Sequence, residues 1–245
     1  MRNSMKKLIL IFIALSFFSV CFAGSIQDMH KAAIARKNVA VGTTVFEEDF
    51  DACDTGTGLA NCDETWVQGG SNSYNVTAAA GPDASNAMVY NDNSGELCYS
   101  VGHALGSGDF EITYDFKIVT ASADSTTMYF KIYDDAGKNV VQVYMEWETG
   151  DDVKIQAYGH TEGFSVIVDN LNINTWYTAT LKDFDFTGKT YDIYINARGG
   201  ALDNFNDDRE FYDVLGADLD NIYFDGASAV NTINIVFDNL KIVEY

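Results

Sequence analysis

From residue 44 onward, apolar and polar side chains alternate along most of the chain. That two-residue period belongs to a β-strand that buries one face. Over 109–120, Phe110, Ile112, Tyr114, Phe116 and Ile118 share one face, and Glu111, Thr113, Asp115 and Lys117 share the other. The pattern repeats over 126–133, where Met128, Phe130 and Ile132 oppose Thr127, Tyr129, Lys131 and Tyr133. After an Asp-Asp-Ala-Gly-Lys turn, 139–148 sets Val141, Val143, Met145 and Trp147 against Gln142, Tyr144, Glu146 and Glu148. A Thr-Gly-Asp-Asp turn then opens 153–158, with Val153, Ile155 and Ala157 opposite Lys154, Gln156 and Tyr158. Segments 176–181 and 191–196 predict a further hairpin through Thr187, Gly188 and Lys189. Both ends of this region, 44–50 and 233–245, also read as strands. A strand about every ten residues, each with a polar face, predicts an all-β, two-sheet antiparallel sandwich over 43–245. The Asp- and Asn-rich stretch 197–221 is expected to be its main irregular insertion.

Upstream of the sandwich the pattern changes twice. Residues 1–23 read as a secretory signal peptide: Arg2, Lys6 and Lys7 precede the apolar run from Leu8 to Phe18, and Ala23 supplies a small residue before the cut. The run is short for a bilayer span. A lipoprotein signal at Cys21 is the weaker alternative, because Val20 stands where a small residue belongs. Residues 24–42 carry a partial helical stripe with a Ser25–Asp28 cap, and form a lead-in or tether. The product is therefore expected outside the cytoplasm, secreted, extracellular or periplasmic.

Charge narrows the partners. The whole chain carries −21, and removing the three bases of the leader leaves 12 bases against 36 acids, or −24. Nucleic acid and anionic membranes would be repelled, while cations are compatible. Three cysteines remain after the leader. Cys53 and Cys62 bracket a Gly-, Asp- and Asn-rich loop that an oxidising compartment can close with a disulfide; pairing of Cys98 with either is the alternative. Otherwise Cys98, between Leu97 and Tyr99 in a strand pattern, is expected to be buried and free.

Two longer stretches carry a family likeness. Asn174-Thr-Trp-Tyr-Thr-Ala-Thr-Leu181 followed by Thr187-Gly-Lys-Thr-Tyr-Asp-Ile-Tyr-Ile-Asn196 resembles the late hairpin of concanavalin A-like, or laminin G-like, jelly rolls. Asp49-Phe-Asp51 with Trp66, and the closing Phe237-Asp-Asn-Leu240, resemble the frame of extracellular carbohydrate-binding modules. The usual glycine after the hairpin's Asn is delayed here to Asn196-Ala-Arg-Gly199. The resemblance implies neighbouring terminal strands, with a structural calcium joining an early acid to the Asp of the last strand. The matching residues are Asp51 and Asp238, with Glu48 and Asp49 nearby. Alternation places Asp238 with Leu240 and Ile242, pointing inward, where a carboxylate needs a partner. Calcium, which takes six to eight oxygens, is one partner; the backbone amides of a bulge are another.

Catalytic patterns are sparse. The three histidines, His30, His103 and His160, belong to no metal or triad motif. Glu146 and Glu148 are two apart on one strand face, but the Glu-x-Asp-x-x-Glu strand of jelly-roll hydrolases is missing. A better candidate is the polar face of the middle strands, where Tyr129, Lys131, Tyr133, Tyr144, Glu146, Gln156 and Tyr158 would line one surface, with Lys154 beside them. Tyrosine rings stack on sugar C–H faces while amide, carboxylate and ammonium groups bond hydroxyls. The expectation is a noncatalytic protein that binds polysaccharide. The alternatives are a structural or adhesive surface protein, or a polysaccharide hydrolase or lyase.

Overall fold

In the computed structural model of the chain, the residues described are 42–56, 58–69, 74–92, 97–100, 105–121, 126–148, 152–200, 204–226 and 233–245. The predicted leader and lead-in up to residue 41 lie outside them. Among the described residues every regular element is a strand. In chain order they are β1 (Thr43–Glu48), β2 (Trp66–Gln68), β3 (Tyr74–Thr77), β4 (Ala87–Asp92), β5 (Leu97–Ser100), β6 (Phe110–Ala121), β7 (Thr126–Tyr133) and β8 (Asn139–Glu148). They continue as β9 (Asp152–Gly159), β10 (Gly163–Leu171), β11 (Tyr177–Asp185), β12 (Thr190–Ala197), β13 (Asn204–Glu210), β14 (Asn221–Gly226) and β15 (Ile233–Glu244).

All the pairings are antiparallel, in two sheets. The first runs β13-β12-β11-β6-β15-β4-β3, with β1 also on β15; the second runs β10-β9-β8-β7-β14-β5-β2. The first and last strands are direct neighbours, Phe46 opposite Ile242 and Glu48 opposite Leu240. The residues that alternation points inward form the core between the sheets: Phe110, Ile112, Tyr114 and Phe116 from β6, Met128, Phe130 and Ile132 from β7, and Val143, Met145 and Trp147 from β8 are all buried. Rings meet across the gap. Tyr114 lies 4.3 Å from Phe130 and Phe224 4.4 Å from Phe237. Cys98 is buried and free, and Cys53 and Cys62 are bonded, with an S–S distance of 2.03 Å.

Two local expectations are corrected. Residues 204–210, expected to be irregular, form the edge strand β13 on β12. Asn-Phe-Asn-Asp-Asp-Arg-Glu has little strand propensity, but an edge strand needs only one set of ladder bonds, which β12 supplies. Residues 163–171 form the opposite kind of edge, apolar and bulged, on β9. Asp238 does not share the face of Leu240 and Ile242. It sits opposite Asp115 on the outer side of the first sheet, and the β15–β6 register slips between Asp238 and Lys241. Asn239 takes a φ of 51° there, and this bulge reverses the parity, so that Phe237 and Leu240 both face inward.

Candidate functional site

The outer face of the second sheet is built by register. Tyr129 on β7 stands opposite Tyr144 on β8, which stands opposite Gln156 on β9. Lys131 faces Gln142 on one side and Tyr223 of β14 on the other, and Glu146 faces Lys154. The structure thus gathers Tyr129, Lys131, Tyr133, Tyr144, Glu146, Gln156 and Tyr158 on one surface. The cause is elementary: β7–β8 keeps its register from Thr126 to Ile132 and β8–β9 from Val143 to Glu148, so like parity stays on like face.

More rings join this surface than the sequence reading named. Tyr99 on β5 stacks on Tyr223 at 4.9 Å, and Tyr223 lies 4.5 Å from Tyr133. Tyr129 lies 4.8 Å from Tyr144, and Tyr144 is 5.2 Å from Phe164 of β10. Tyr158 contacts both Phe164 and Tyr212, each at 4.8 Å. Eight rings therefore fall into two runs, Tyr99-Tyr223-Tyr133 and Tyr129-Tyr144-Phe164-Tyr158-Tyr212. Between the runs sits Lys131, whose Nζ lies 2.5 Å from Asp225 and 4.5 Å from the Tyr129 ring centre. Tyr99 and Tyr223 had a readable signal, since each alternates with a buried neighbour, Cys98 and Phe224. Phe164 had none, because Phe-Ser-Val-Ile-Val does not announce which face is outside.

The polar groups are already engaged. The Gln156 amide donates to Glu146 at 2.7 Å. Burial pushes up the Tyr129 hydroxyl, to about 12, with Tyr144 and Asp225 adding to it. Burial likewise raises Tyr133, Tyr144 and Tyr223. At neutral pH these tyrosines are neutral stacking and hydrogen-bonding groups rather than bases. The side chain of Glu148 lies outside the described residues, as does His103. His160 is exposed in the β9–β10 turn. Trp147 and Trp66 are buried in the core, and Trp176 is half-buried with Lys117 Nζ 4.8 Å over its ring.

The four acids expected near the terminal strands divide into two places. Glu48 is fully buried at the end of the sandwich and accepts from Phe50 N at 2.8 Å, Glu64 N at 3.1 Å and Trp66 Nε1 at 3.1 Å. Asp49 accepts from Asp51 N at 3.0 Å in a local turn. Asp51 and Asp238 instead meet the 81–86 segment. Asp51 accepts from Asn86 N at 2.7 Å, and Asp238 from Ser85 Oγ at 2.8 Å and from Asn239 N at 2.8 Å. The last bond is the bulge cap that alternation left as the other role for Asp238. Gly81 packs so closely on Asp238 and Ser85 that a Cβ there would collide with both. Burial pushes the Asp238 carboxyl up to about 6, and the Asp115 and Asp51 carboxylates add to the shift.

Among the described residues, two groups place three potential ligand atoms within 4.8 Å of one another: Glu48 with Cys53 and Cys62, and Asp134 with Asp135 and Asp218. The first is no metal centre, because its sulfurs are tied in the disulfide.

No protein-family model matches the chain, and no curated protein sequence does either. Solved structures do. A protein of unknown function from Shewanella oneidensis MR-1 aligns at 14% identity with a TM-score of 0.55, over 87% of this chain and 92% of that one. A lectin, UEA-II, complexed with galactose aligns at 9% identity and 0.54, over 82% and 99%. The beta-glucanase of Bacillus licheniformis aligns at 14% identity and 0.50, over 84% and 100%. At such identities the likeness is one of fold, and the fold is the concanavalin A-like jelly roll.

Proposed function

We propose that this chain is an exported, noncatalytic protein that binds a polysaccharide on the outer face of its second sheet. The observation that carries the reading is the double run of rings there, a surface rich in half-buried tyrosine on strands whose registers hold the rings side by side. Apolar C–H faces of sugars stack on such rings, and the Glu146–Gln156 and Lys131–Asp225 pairs offer acceptors and donors to hydroxyls. Export is supported by the leader-like start and by a disulfide, which persists in oxidising compartments. The fold is shared with a galactose-bound lectin and a beta-glucanase, which agrees with the reading without carrying it.

A few stacked rings give micromolar to millimolar affinity, about −4 to −8 kcal/mol. The test is a glycan panel followed by titration. Tyr144→Ala with Tyr158→Ala should remove binding and lower the melting temperature only slightly. A panel without any bound glycan, or a double variant that does not fold, would overturn the reading in favour of a structural or adhesive role.

Calcium belongs to the reading as a structural ion at Asp51 and Asp238, completed by oxygens of the 81–86 segment. It is supported by the buried Asp238 carboxylate with two more carboxylates close by. Glu48 and Asp49 are left out, because their carboxylates are turned to other donors. A chelator should lower the melting temperature of the wild type, and Asp238→Ala should remove that response. Bound at a hundredfold excess over its Kd, the ion would contribute about 2.7 kcal/mol. Identical melts with and without chelator would leave Asp238 as the bulge cap alone.

A further inference from the structure

Beyond the tyrosines, the ring surface ends on a hairpin that should not be rigid by itself. β10 is an edge strand bonded only to β9, and its ladder slips twice, between Val166 and Val168 and again before Leu171. Edge hairpins with broken ladders open easily. Yet this strand displays the largest exposed apolar side chains of the face, Phe164 at 50% exposure and Val166 at 49%. Phe164 stands opposite Tyr158 and Val166 opposite Gln156, so both continue the ring surface outward.

What holds the hairpin comes from the other sheet. The carboxylate of Glu210, at the end of β13, accepts from Thr161 N at 2.7 Å, from Thr161 Oγ1 at 2.6 and 2.8 Å, and from Glu162 N at 3.3 Å. His160 N donates to Phe211 O at 3.1 Å. Arg209, 2% exposed, ion-pairs with Glu162, and Gly159 lies so close under its guanidinium that a Cβ would collide with it. The Tyr212 ring rests on Tyr158. Each residue of 209–212 thus grips the turn or the strand leading into it. Charged contacts on Thr161 and Glu162, with a backbone bond from His160, are far more than a hairpin needs to close itself.

We propose that residues 209–212 are a positioning clamp, which holds the β9–β10 hairpin so that Phe164 and Val166 form an apolar outer subsite for a further unit of a glycan chain. The proposal rests on the binding surface described above and adds which part of the ligand reads this end. From Tyr99 on β5 to Phe164 on β10 the rings cross five strand spacings, roughly 24 Å. That span suits a chain lying across the strands, with the unit over β10 meeting carbon rather than polar groups. Arg209 and Glu210 lie behind the turn and act through it.

The experiment uses the mature chain and neutral oligosaccharides of two and six units from the cello, laminari, xylo and manno series. Hydrogen exchange is followed at residues 160–164 and, as an internal reference, on β7 and β8. Glu210→Gln and Thr161→Val should speed exchange at 160–164 about tenfold or more, leave the reference strands unchanged, and weaken hexasaccharide binding about tenfold with disaccharide binding unaltered. Thr161→Ser, which keeps the hydroxyl, should behave as wild type. Phe164→Ala should reproduce the affinity loss without the change in exchange. Unchanged exchange in Glu210→Gln overturns the clamp. Faster exchange with undiminished hexasaccharide affinity overturns its positioning role. If the wild type binds none of the sugars, the subsite falls with the binding surface, while exchange still decides the clamp.

Discussion

Glu48 is a carboxylate with no exposed surface and three donors pointed at it, two from the backbone and one from Trp66. Burial raises its pKa, and those three bonds oppose the rise. Glu48→Ala would leave Phe50 N, Glu64 N and Trp66 Nε1 buried without an acceptor. At about 1–3 kcal/mol for each unmatched buried donor, the loss should be ~3 kcal/mol or more, read by urea unfolding, with a change in Trp66 fluorescence. A loss under ~1 kcal/mol would mean that the 50–66 segment finds other acceptors. The inward direction of Glu48 was legible from its parity with Phe46 and Phe50. Two of its three partners were not, because they come from residues 16 and 18 positions away. Asp238 failed for a different reason: one left-handed residue, Asn239, resets the alternation, and nothing in Phe-Asp-Asn-Leu marks the bulge.

At the scale of elements, the central strands were readable and the edges were not. β6, β7 and β8 bury an apolar face and leave a more polar one largely half-buried, so their alternation declares the period. Two edge strands depart most from the alternation of a core strand: β13 is polar in sequence, and β10 carries exposed Phe164 and Val166. The loop between β1 and β2 is held differently. Its Cys53–Cys62 bond joins residues nine apart, and so short a loop gains about 2–3 kcal/mol from closure. Thiol counting on the native protein without residues 1–23, and so without Cys21, should therefore find no reactive group, because burial pushes the Cys98 thiol well above its usual pKa. After denaturation without reductant it should find one. Mild reduction should lower stability by that closure term and leave the sheets intact. Peptide mapping that joined Cys98 to either partner would contradict the pairing.

Over the whole molecule, the acids outnumber the bases so heavily that charge selects the ligand before contact does. The whole chain carries −21, and the Lys131 ammonium at the centre of the ring surface is neutralised by Asp225. A sulfated or uronic chain would approach a repelling field and, among the described residues, find the ammonium between the two ring runs already paired with Asp225. Neutral chains meet no such barrier. Neutral glycans should therefore bind with an affinity nearly independent of salt, since stacking and hydrogen bonding to uncharged hydroxyls involve no long-range charge. Anionic glycans of the same backbone should bind worse in dilute buffer, and the gap should narrow as the Debye length falls from about 10 Å at 0.1 M to about 3 Å at 1 M. The melting temperature should rise over the same range as self-repulsion is screened. Titration of one neutral and one carboxylated or sulfated polymer at both salt levels checks the two binding expectations, and thermal melts at the same salt levels check the third. Preferential binding of the anionic polymer at low salt would mean that the ligand is read elsewhere than on this face.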